Sequence, residues 1–336
     1  MQLSQRRDGG DVPQVPDDRP RWGTTIPLEG VPLTRLADVC RELEDLGCTD
    51  LWTAEGMGTD GITPLAVAAA VTREAHLGIA IASVFTRGPA LLAQTAATLA
   101  GLAPGRVTLG LGASSDVLVE QWNGLEFAKP LSRSRDVVRF LRAALTGERV
   151  EEQYDTFSVR GVRLGSVPPE PPRIVLAALR GKMLDLAGSE SDGVALNWLT
   201  AEDVGTVAPA VTAHGPRDVV CRVLVAPTDD ADVARGIARR LITTYLNVPV
   251  YRAFHAWLGR DELAPMWAAW DAGDRRGALA AVPDHVVDAL VLHGPPERIR
   301  EGLAAYVEHG VTVPVTMLLP VPGVDPVQAC RDLAPR

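Results

Sequence analysis

Eight short apolar segments alternate with amphipathic segments along the 336-residue chain, and this alternation predicts a (β/α)8 TIM barrel. Most of the apolar segments are hydrophobic on both faces, which is typical of parallel strands covered by helices. An open, doubly wound sheet fits less well, because eight repeats in one chain match a closed barrel.

The predicted strands are short apolar runs, and the predicted helices carry apolar residues at helical spacing. The strands are Trp22–Ile26, Leu51–Ala54, Leu77–Val84, Val107–Gly112, Arg173–Ala178, Gly193–Asn197, Val219–Ala226 and Val311–Leu319. The helices are Pro32–Leu46, Pro89–Leu102, Leu131–Leu145, Lys182–Ala187, Ala201–Ala213, Ala231–Leu246 and Glu297–Glu308. One more helix begins at Thr63-Pro64, where the threonine hydroxyl is the expected N-cap.

Two stretches depart from the repeat. Residues 150–172 contain a β-like run and a proline cluster, which predicts an excursion outside the barrel. Residues 248–291 predict a helical insertion before the last βα unit, with Trp257, Trp267 and Trp270 either lining a substrate cavity or packing between helices or subunits. We expect residues 21–336 to form one domain, preceded by a disordered tail over residues 1–20.

Composition excludes several classes of function. The net charge is −9, which argues against nucleic acid or an anionic membrane as the main partner. No apolar run is long enough to span a bilayer, and the four cysteines form no CxxC pair, so a reducing cytoplasm is expected. The six histidines are scattered, which makes a metal site improbable. All but two of the 33 basic residues are arginines, as in GC-rich genomes.

In a barrel, the functional residues follow the carboxyl ends of the strands. After the second strand stands Glu55, either a catalytic carboxylate or a solvated loop residue. After the third stands Arg87, either an anion ligand or a surface arginine. The fourth strand ends Gly110-Leu111-Gly112, where glycine would let a flat ring approach the backbone, although the dinucleotide-binding fingerprint is incomplete.

The fifth predicted unit supplies an anion site. Arg180, Gly181, Lys182 and Met183 stand at the start of a helix, where free N–H groups and the helix dipole favour a phosphate. Lys182 is one of only two lysines in the chain.

These strand ends together resemble the bacterial luciferase-like superfamily, and its coenzyme F420-dependent branch in particular. The resemblance rests on the segments ASVFTRGPALLAQTAATLA, GLAPGRVTLGLGASS, WNGLEFAKPLSRSRDVVRFLRAALTGE and PPRIVLAALRGKMLDLAGSESDGVALNW, and it covers roughly residues 21–319.

The resemblance implies a flavin-like ring at the carboxyl-terminal mouth of the barrel. It implies a non-prolyl cis peptide bond at Ser83-Val84 behind the ring, and a ring edge on the backbone of Gly110, Leu111 and Gly112. The phosphate would lie at residues 180–183, with help from Asn197 at the end of the sixth strand. An acid, here Glu55, commonly follows the second strand.

The sequence also departs from the superfamily pattern. Alcohol-oxidising members carry an Asp-His pair where this chain has Glu55-Gly56, and a glutamate in the region of Ala113-Ser114-Ser115. These departures argue against a sugar-phosphate dehydrogenase. The resemblance and the GC-rich composition together predict a coenzyme F420-dependent oxidoreductase that transfers hydride to or from a small organic substrate. The alternatives are an FMN-dependent monooxygenase and a cofactor-binding barrel with little catalysis. A homodimer is also expected, with Leu91, Leu92, Ala96 and Leu99 as candidate contacts.

Overall fold

The computed structural model describes residues 21–56 and 58–335, so the tail expected at residues 1–20 lies outside the described residues. The strands are β1 Gly23–Thr25, β2 Asp50–Thr53, β3 His76–Ser83, β4 Val107–Gly112, β5 Val150–Gln153, β6 Ser158–Val162, β7 Arg173–Ala177, β8 Gly193–Asn197, β9 Asp218–Ala226, β10 Val291–His293 and β11 Val313–Leu318.

Helices follow most of these strands. They are α1 Leu36–Asp45, α2 Thr63–Val71, α3 Pro89–Leu102, α4 Pro130–Ala144, α5 Lys182–Glu190, α6 Ala201–Thr212, α7 Ala231–Tyr245, α8 Pro249–Trp257, α9 Ala264–Asp271, α10 Arg275–Ala280, α11 Asp284–Leu290, α12 Pro296–Glu308 and α13 Pro326–Leu333.

Eight of the strands close into a parallel barrel. Their order is β1-β2-β3-β4-β7-β8-β9-β11, and β11 pairs with β1 to complete the circle. The predicted (β/α)8 barrel is therefore confirmed, with all eight predicted strands in place. The short strand β10 was not predicted. It pairs with β9 at Leu224–Ala226, beyond the residues that pair with β8.

The core lies mainly between the barrel and its helices, while a smaller cluster fills the barrel interior. That interior cluster consists of Trp52, Val220, Val313 and Val315, with Ala80 packed against it. The indole of Trp52 lies over Gly78, where an added Cβ would come within 2.4 Å of the ring. Side chains thus close the barrel below its carboxyl-terminal mouth.

The two irregular stretches have distinct structures. Residues 150–162 form an antiparallel hairpin of β5 and β6 beside the barrel. Residues 249–290 form the helices α8 to α11, and Trp267 packs within that cluster with its Nε1 donating to the Leu246 carbonyl at 3.0 Å. Trp257 is half-exposed, and Trp270 stacks with Arg275 at 3.8 Å.

One predicted cap is wrong. Thr63 is the first residue of α2 rather than its N-cap, and the carboxylate of Asp60 accepts from the N–H groups of Ile62 and Thr63, each at 2.9 Å. A charged acceptor three residues before the helix satisfies these donors better than a hydroxyl does.

Candidate active site at the barrel mouth

Glu55 lies at the end of β2 as predicted, but its carboxylate is already engaged. Its Oε1 accepts from Nε of Arg87 at 2.7 Å and pairs with the Nη2 of the same guanidinium at 2.5 Å, while Oε2 accepts from the Ser83 N–H at 3.3 Å. Arg87 also lies 3.8 Å from Asp60. The ion pair ties the loop after β2 to the loop after β3, and it leaves Arg87 neutralised rather than free to hold an anion.

The distinctive feature of β3 is an irregularity before its end. The pairing with β4 shifts between Ile79 and Ala82, and the non-prolyl cis bond is Ala80-Ile81. The cis bond predicted at Ser83-Val84 is therefore wrong by three residues, because the shift in strand register comes before Ala82. Ser83 and Val84 are buried, whereas Ala80 and Ile81 are half-buried. The residues predicted to contact a ring are thus covered.

The glycines of β4 face the barrel interior and are needed for packing. A Cβ on Gly110 would stand 2.0 Å from the Ile79 carbonyl oxygen, and one on Gly112 would stand 2.9 Å from the Ile81 side chain. Leu111 points the other way, into the core between sheet and helices. The irregular part of β3 thus occupies the space that a ring was expected to take beside Gly110.

The start of α5 has the features of an anion site. Gly181 precedes the helix with φ of +56°, its Cβ position meets no atom within 4 Å, and no side chain caps the helix. Arg180 and Lys182 are exposed, and neither forms an ion pair with any residue that the structure describes. Met183 is half-buried against the core, which orients the first turn. The helix therefore presents free N–H groups beside two cations.

A polar group at the carboxyl end of β8 and beside it on β9 combines Asn197, which was predicted, with Arg222, which was not. Asn197 ends β8 and is the register partner of Arg222 on β9, so both side chains face the barrel interior. The Nη2 of Arg222 donates to the Ala80 carbonyl at 2.8 Å. The side chain of Asn197 hydrogen-bonds with Tyr251 of α8, which also feels the charge of Arg222. Strand parity could have found Arg222, because it interrupts an otherwise apolar strand.

A second polar group supports the turn after β8. His255 is fully buried, and its Nδ1 lies 2.7 Å from Nη1 of Arg260, which pairs with Asp203 at 2.5 Å. Asp203 and Thr200 cap α6 reciprocally. Burial, followed by the charge of Arg260, lowers the pKa of His255 to about 3, so the imidazole is neutral. The buried polar group of His255, Arg260 and Asp203 thus packs against the turn that carries Asn197 and Trp198 and stabilises it.

Within residues 21–56 and 58–335, no group of three or more histidine, cysteine or acidic side chains is arranged to hold a metal ion. None of the helices in that same part of the chain is long and apolar enough to cross a bilayer.

A family model described as luciferase-like monooxygenase matches residues 16–313. The chain belongs to the luciferase-like monooxygenase family. The predicted family is therefore confirmed, and with it the predicted class of enzyme, an oxidoreductase.

Two curated relatives extend over most of this luciferase-like chain. A 5,10-methylenetetrahydromethanopterin reductase of Archaeoglobus fulgidus is 28% identical over 80% of this chain and 85% of its own length. A putative coenzyme F420-dependent oxidoreductase of Mycobacterium tuberculosis is 27% identical over 88% of this chain and 92% of its own length.

Two solved structures share the luciferase-like fold. The coenzyme F420-dependent tetrahydromethanopterin reductase of Methanopyrus kandleri superposes with a TM-score of 0.76 at 21% identity, over 94% of this chain and 97% of that one. The oxygenating constituent of 3,6-diketocamphane monooxygenase from Pseudomonas putida, in complex with FMN, has a TM-score of 0.65 at 16% identity, with the same two coverages. At these identities, the likeness establishes the barrel fold.

The surface expected to form a homodimer is mostly internal to the luciferase-like barrel. Leu92, Ala96 and Leu99 are buried against the protomer's own core, and only Leu91 of this set is exposed. A groove of about 490 Å³ lies farther along α3, beside residues 164–166. The homodimer stays a prediction.

Proposed function

We propose that the chain binds coenzyme F420 at the barrel mouth and transfers hydride to or from a small organic substrate. The observation that carries the proposal is the start of α5, where uncapped N–H groups lie beside the open Cβ position of Gly181, between the exposed residues Arg180 and Lys182. A phosphate diester fits this arrangement, since such a site supplies donors and positive charge together.

The choice of the deazaflavin over FMN is supported by the relatives. The Mycobacterium tuberculosis relative is named as F420-dependent, and it matches 88% of this chain. FMN carries a phosphate as well, so the site at α5 accommodates either cofactor.

The residues for the ring are those that the fold leaves open at the mouth. Ala80 and Ile81 are half-buried there, and they replace Ser83 and Val84 as the proposed contacts from β3. The backbone of Gly112 and the side chain of Asn197 remain candidates on the neighbouring strands. Bound coenzyme F420 would supply or accept a hydride, whereas the chain would orient the ring and exclude water beneath it.

Glu55 is proposed as a positioning residue rather than the proton donor. Its carboxylate holds Arg87 and the Ser83 N–H, which fixes the loop behind the proposed ring site. Both carboxylate oxygens of Glu55 are thus occupied by donors of the protein itself, which leaves none directed at a substrate.

Titration of the purified protein with coenzyme F420 and with FMN tests the proposal. We compare the wild type with Lys182→Ala and Gly181→Val, and use Gly47→Val as the matched control. Gly47 also has positive φ and an open Cβ position, but it ends α1 at the opposite end of the barrel. Lys182→Ala removes one charge-assisted hydrogen bond and should lower the affinity for coenzyme F420 by about tenfold to a hundredfold.

Gly181→Val should weaken binding further, because its branched side chain would enter the phosphate site, while Gly47→Val should keep wild-type affinity. Unchanged affinity in Gly181→Val would place the phosphate elsewhere. Binding of FMN with no binding of coenzyme F420 would favour the monooxygenase. Binding of F420 without hydride transfer to any carbonyl, imine or alkene tested would favour a cofactor-holding barrel.

A further inference from the structure

Arg222 differs from Arg87 and Arg260 because it has no counter-ion among the residues that the structure describes. Arg87 pairs with Glu55, and Arg260 pairs with Asp203. Arg222, in contrast, forms no ion pair with any residue in the described ranges, and its one described hydrogen bond goes to the neutral Ala80 carbonyl.

The position of Arg222 makes this arrangement costly. It projects from a parallel strand into the barrel interior, where burial lowers the pKa of its guanidinium. Arginine nevertheless stays charged, so the protein holds a half-buried cation that has no anion beside it in the described residues. Such a charge destabilises the fold unless a ligand compensates for it.

Two further polar groups point to the same space. The Oδ1 of Asn197 accepts from the Trp198 N–H at 3.1 Å, and the side chain of Asn197 also hydrogen-bonds with the Tyr251 hydroxyl. The hydroxyl of Tyr251 therefore lies beside both Asn197 and the guanidinium of Arg222. Burial also raises the pKa of Tyr251, so the hydroxyl stays protonated at neutral pH.

The surroundings are aromatic rather than polar. Trp198 and Tyr245 lie with their ring centroids 5.0 Å apart, and Tyr245 is 42% exposed. Tyr251 contributes another ring from α8. These three aromatic residues come from the end of β8, from α7 and from α8, whereas the proposed phosphate site lies at α5.

We propose that Arg222 and Tyr251 form the substrate's anion site, and that the substrate is a small organic carboxylate with a flat apolar body. The planar guanidinium presents N–H groups at the spacing of two carboxylate oxygens. Tyr251 adds an O–H donor, and the rings of Tyr245 and Tyr251 offer contact area to an unsaturated or aromatic body. The inference rests on the proposed function only in taking this anion to be the molecule that exchanges hydride with the cofactor.

Benzoate and benzamide are a matched pair of probes, because they differ in charge but hardly in shape. Calorimetric titration of the full chain, with and without coenzyme F420, should show benzoate bound about tenfold to a hundredfold more tightly than benzamide. The ratio should approach one in Arg222→Met and stay intermediate in Arg222→Lys. Tyr251→Phe should weaken benzoate severalfold.

Arg87→Met is the control, because its guanidinium is already neutralised by Glu55, and the benzoate preference should persist in it. Equal affinities for benzoate and benzamide in the wild type would overturn the proposal without any variant. A preference that survives in Arg222→Met, or no binding of benzoate at all, would overturn it as well.

Titration with coenzyme F420 separates this proposal from the proposed function. Arg222→Met should weaken the coenzyme's binding by less than tenfold, because the proposed phosphate site lies at α5 and Arg222 reaches the proposed ring site only through its hydrogen bond to the Ala80 carbonyl. A large loss of coenzyme affinity in Arg222→Met would assign the arginine to the cofactor instead, and would overturn the substrate assignment. Failure of the wild type to bind the coenzyme, with the benzoate preference intact, would refute the function and leave the anion site standing.

Discussion

Replacing Gly110 by alanine should destabilise the barrel through a collision with backbone. The added Cβ would stand 2.0 Å from the Ile79 carbonyl oxygen, about 1 Å inside the shortest separations that real Cβ atoms show. No flexible side chain can yield there, so β3 and β4 would have to move apart beside the irregularity at Ala80-Ile81. Forced overpacking of this kind costs about 1–3 kcal/mol.

The matched control is Gly101→Ala in α3, where an added Cβ meets no atom within 4 Å. Alanine is the better helix former, so this variant should gain about 0.5–1 kcal/mol. Urea unfolding followed by circular dichroism gives both free energies of unfolding. Equal stabilities of the two variants would refute the steric argument, since both remove a glycine and add one methyl group.

Three further predictions concern other parts of the molecule. Glu55→Gln should lower turnover by less than tenfold, because the carboxylate positions Arg87 and Ser83. Steady-state kinetics measure this effect. A loss of more than a hundredfold at unchanged cofactor affinity would instead assign proton transfer to Glu55. Hydrogen bonding with Arg235 lowers the pKa of Asp288 to about 2, so the pair contributes stability above pH 4 that disappears as the pH falls toward 2. Because the ion pair is partly solvated, Asp288→Asn should lower the free energy of unfolding by about 1 kcal/mol at pH 7 and by much less at pH 2.5. Urea titrations at both pH values measure these losses, and equal losses would contradict the prediction. All four cysteines are buried, and burial raises the pKa values of their thiols. A thiol reagent should therefore label none of them in the native protein and all four in denaturant. Rapid labelling of the native protein would contradict this prediction.

The barrel was predictable because each strand carries its own signal. Val107–Gly112 and Gly193–Asn197 match the structure at both ends, since turn residues bound each apolar run. Strand β10 has only three residues, and its existence depends on β9 extending beyond β8, which no local pattern records.

The start of α5 was likewise predictable, because glycine and lysine at a helix start are a local signal. The position of the cis bond was not, because the register shift in β3 depends on how Ile79 and Ala80 meet Gly110 of the next strand. Arg222 was missed for a similar reason. Arg222 is of interest because it forms no ion pair in the described part of the chain, and only the assembled barrel shows which side chains lie around it.

The side chains that close the barrel under the mouth also constrain the order of events at the site. Trp52 and the valines around it fill the barrel interior below the mouth, so we expect molecules to enter and leave the proposed site by the carboxyl-terminal opening. If the proposed coenzyme and substrate meet face to face there, the deeper one cannot leave before the shallower one. We therefore expect ordered binding and release, in which the molecule nearer the Trp52 indole binds first and leaves last.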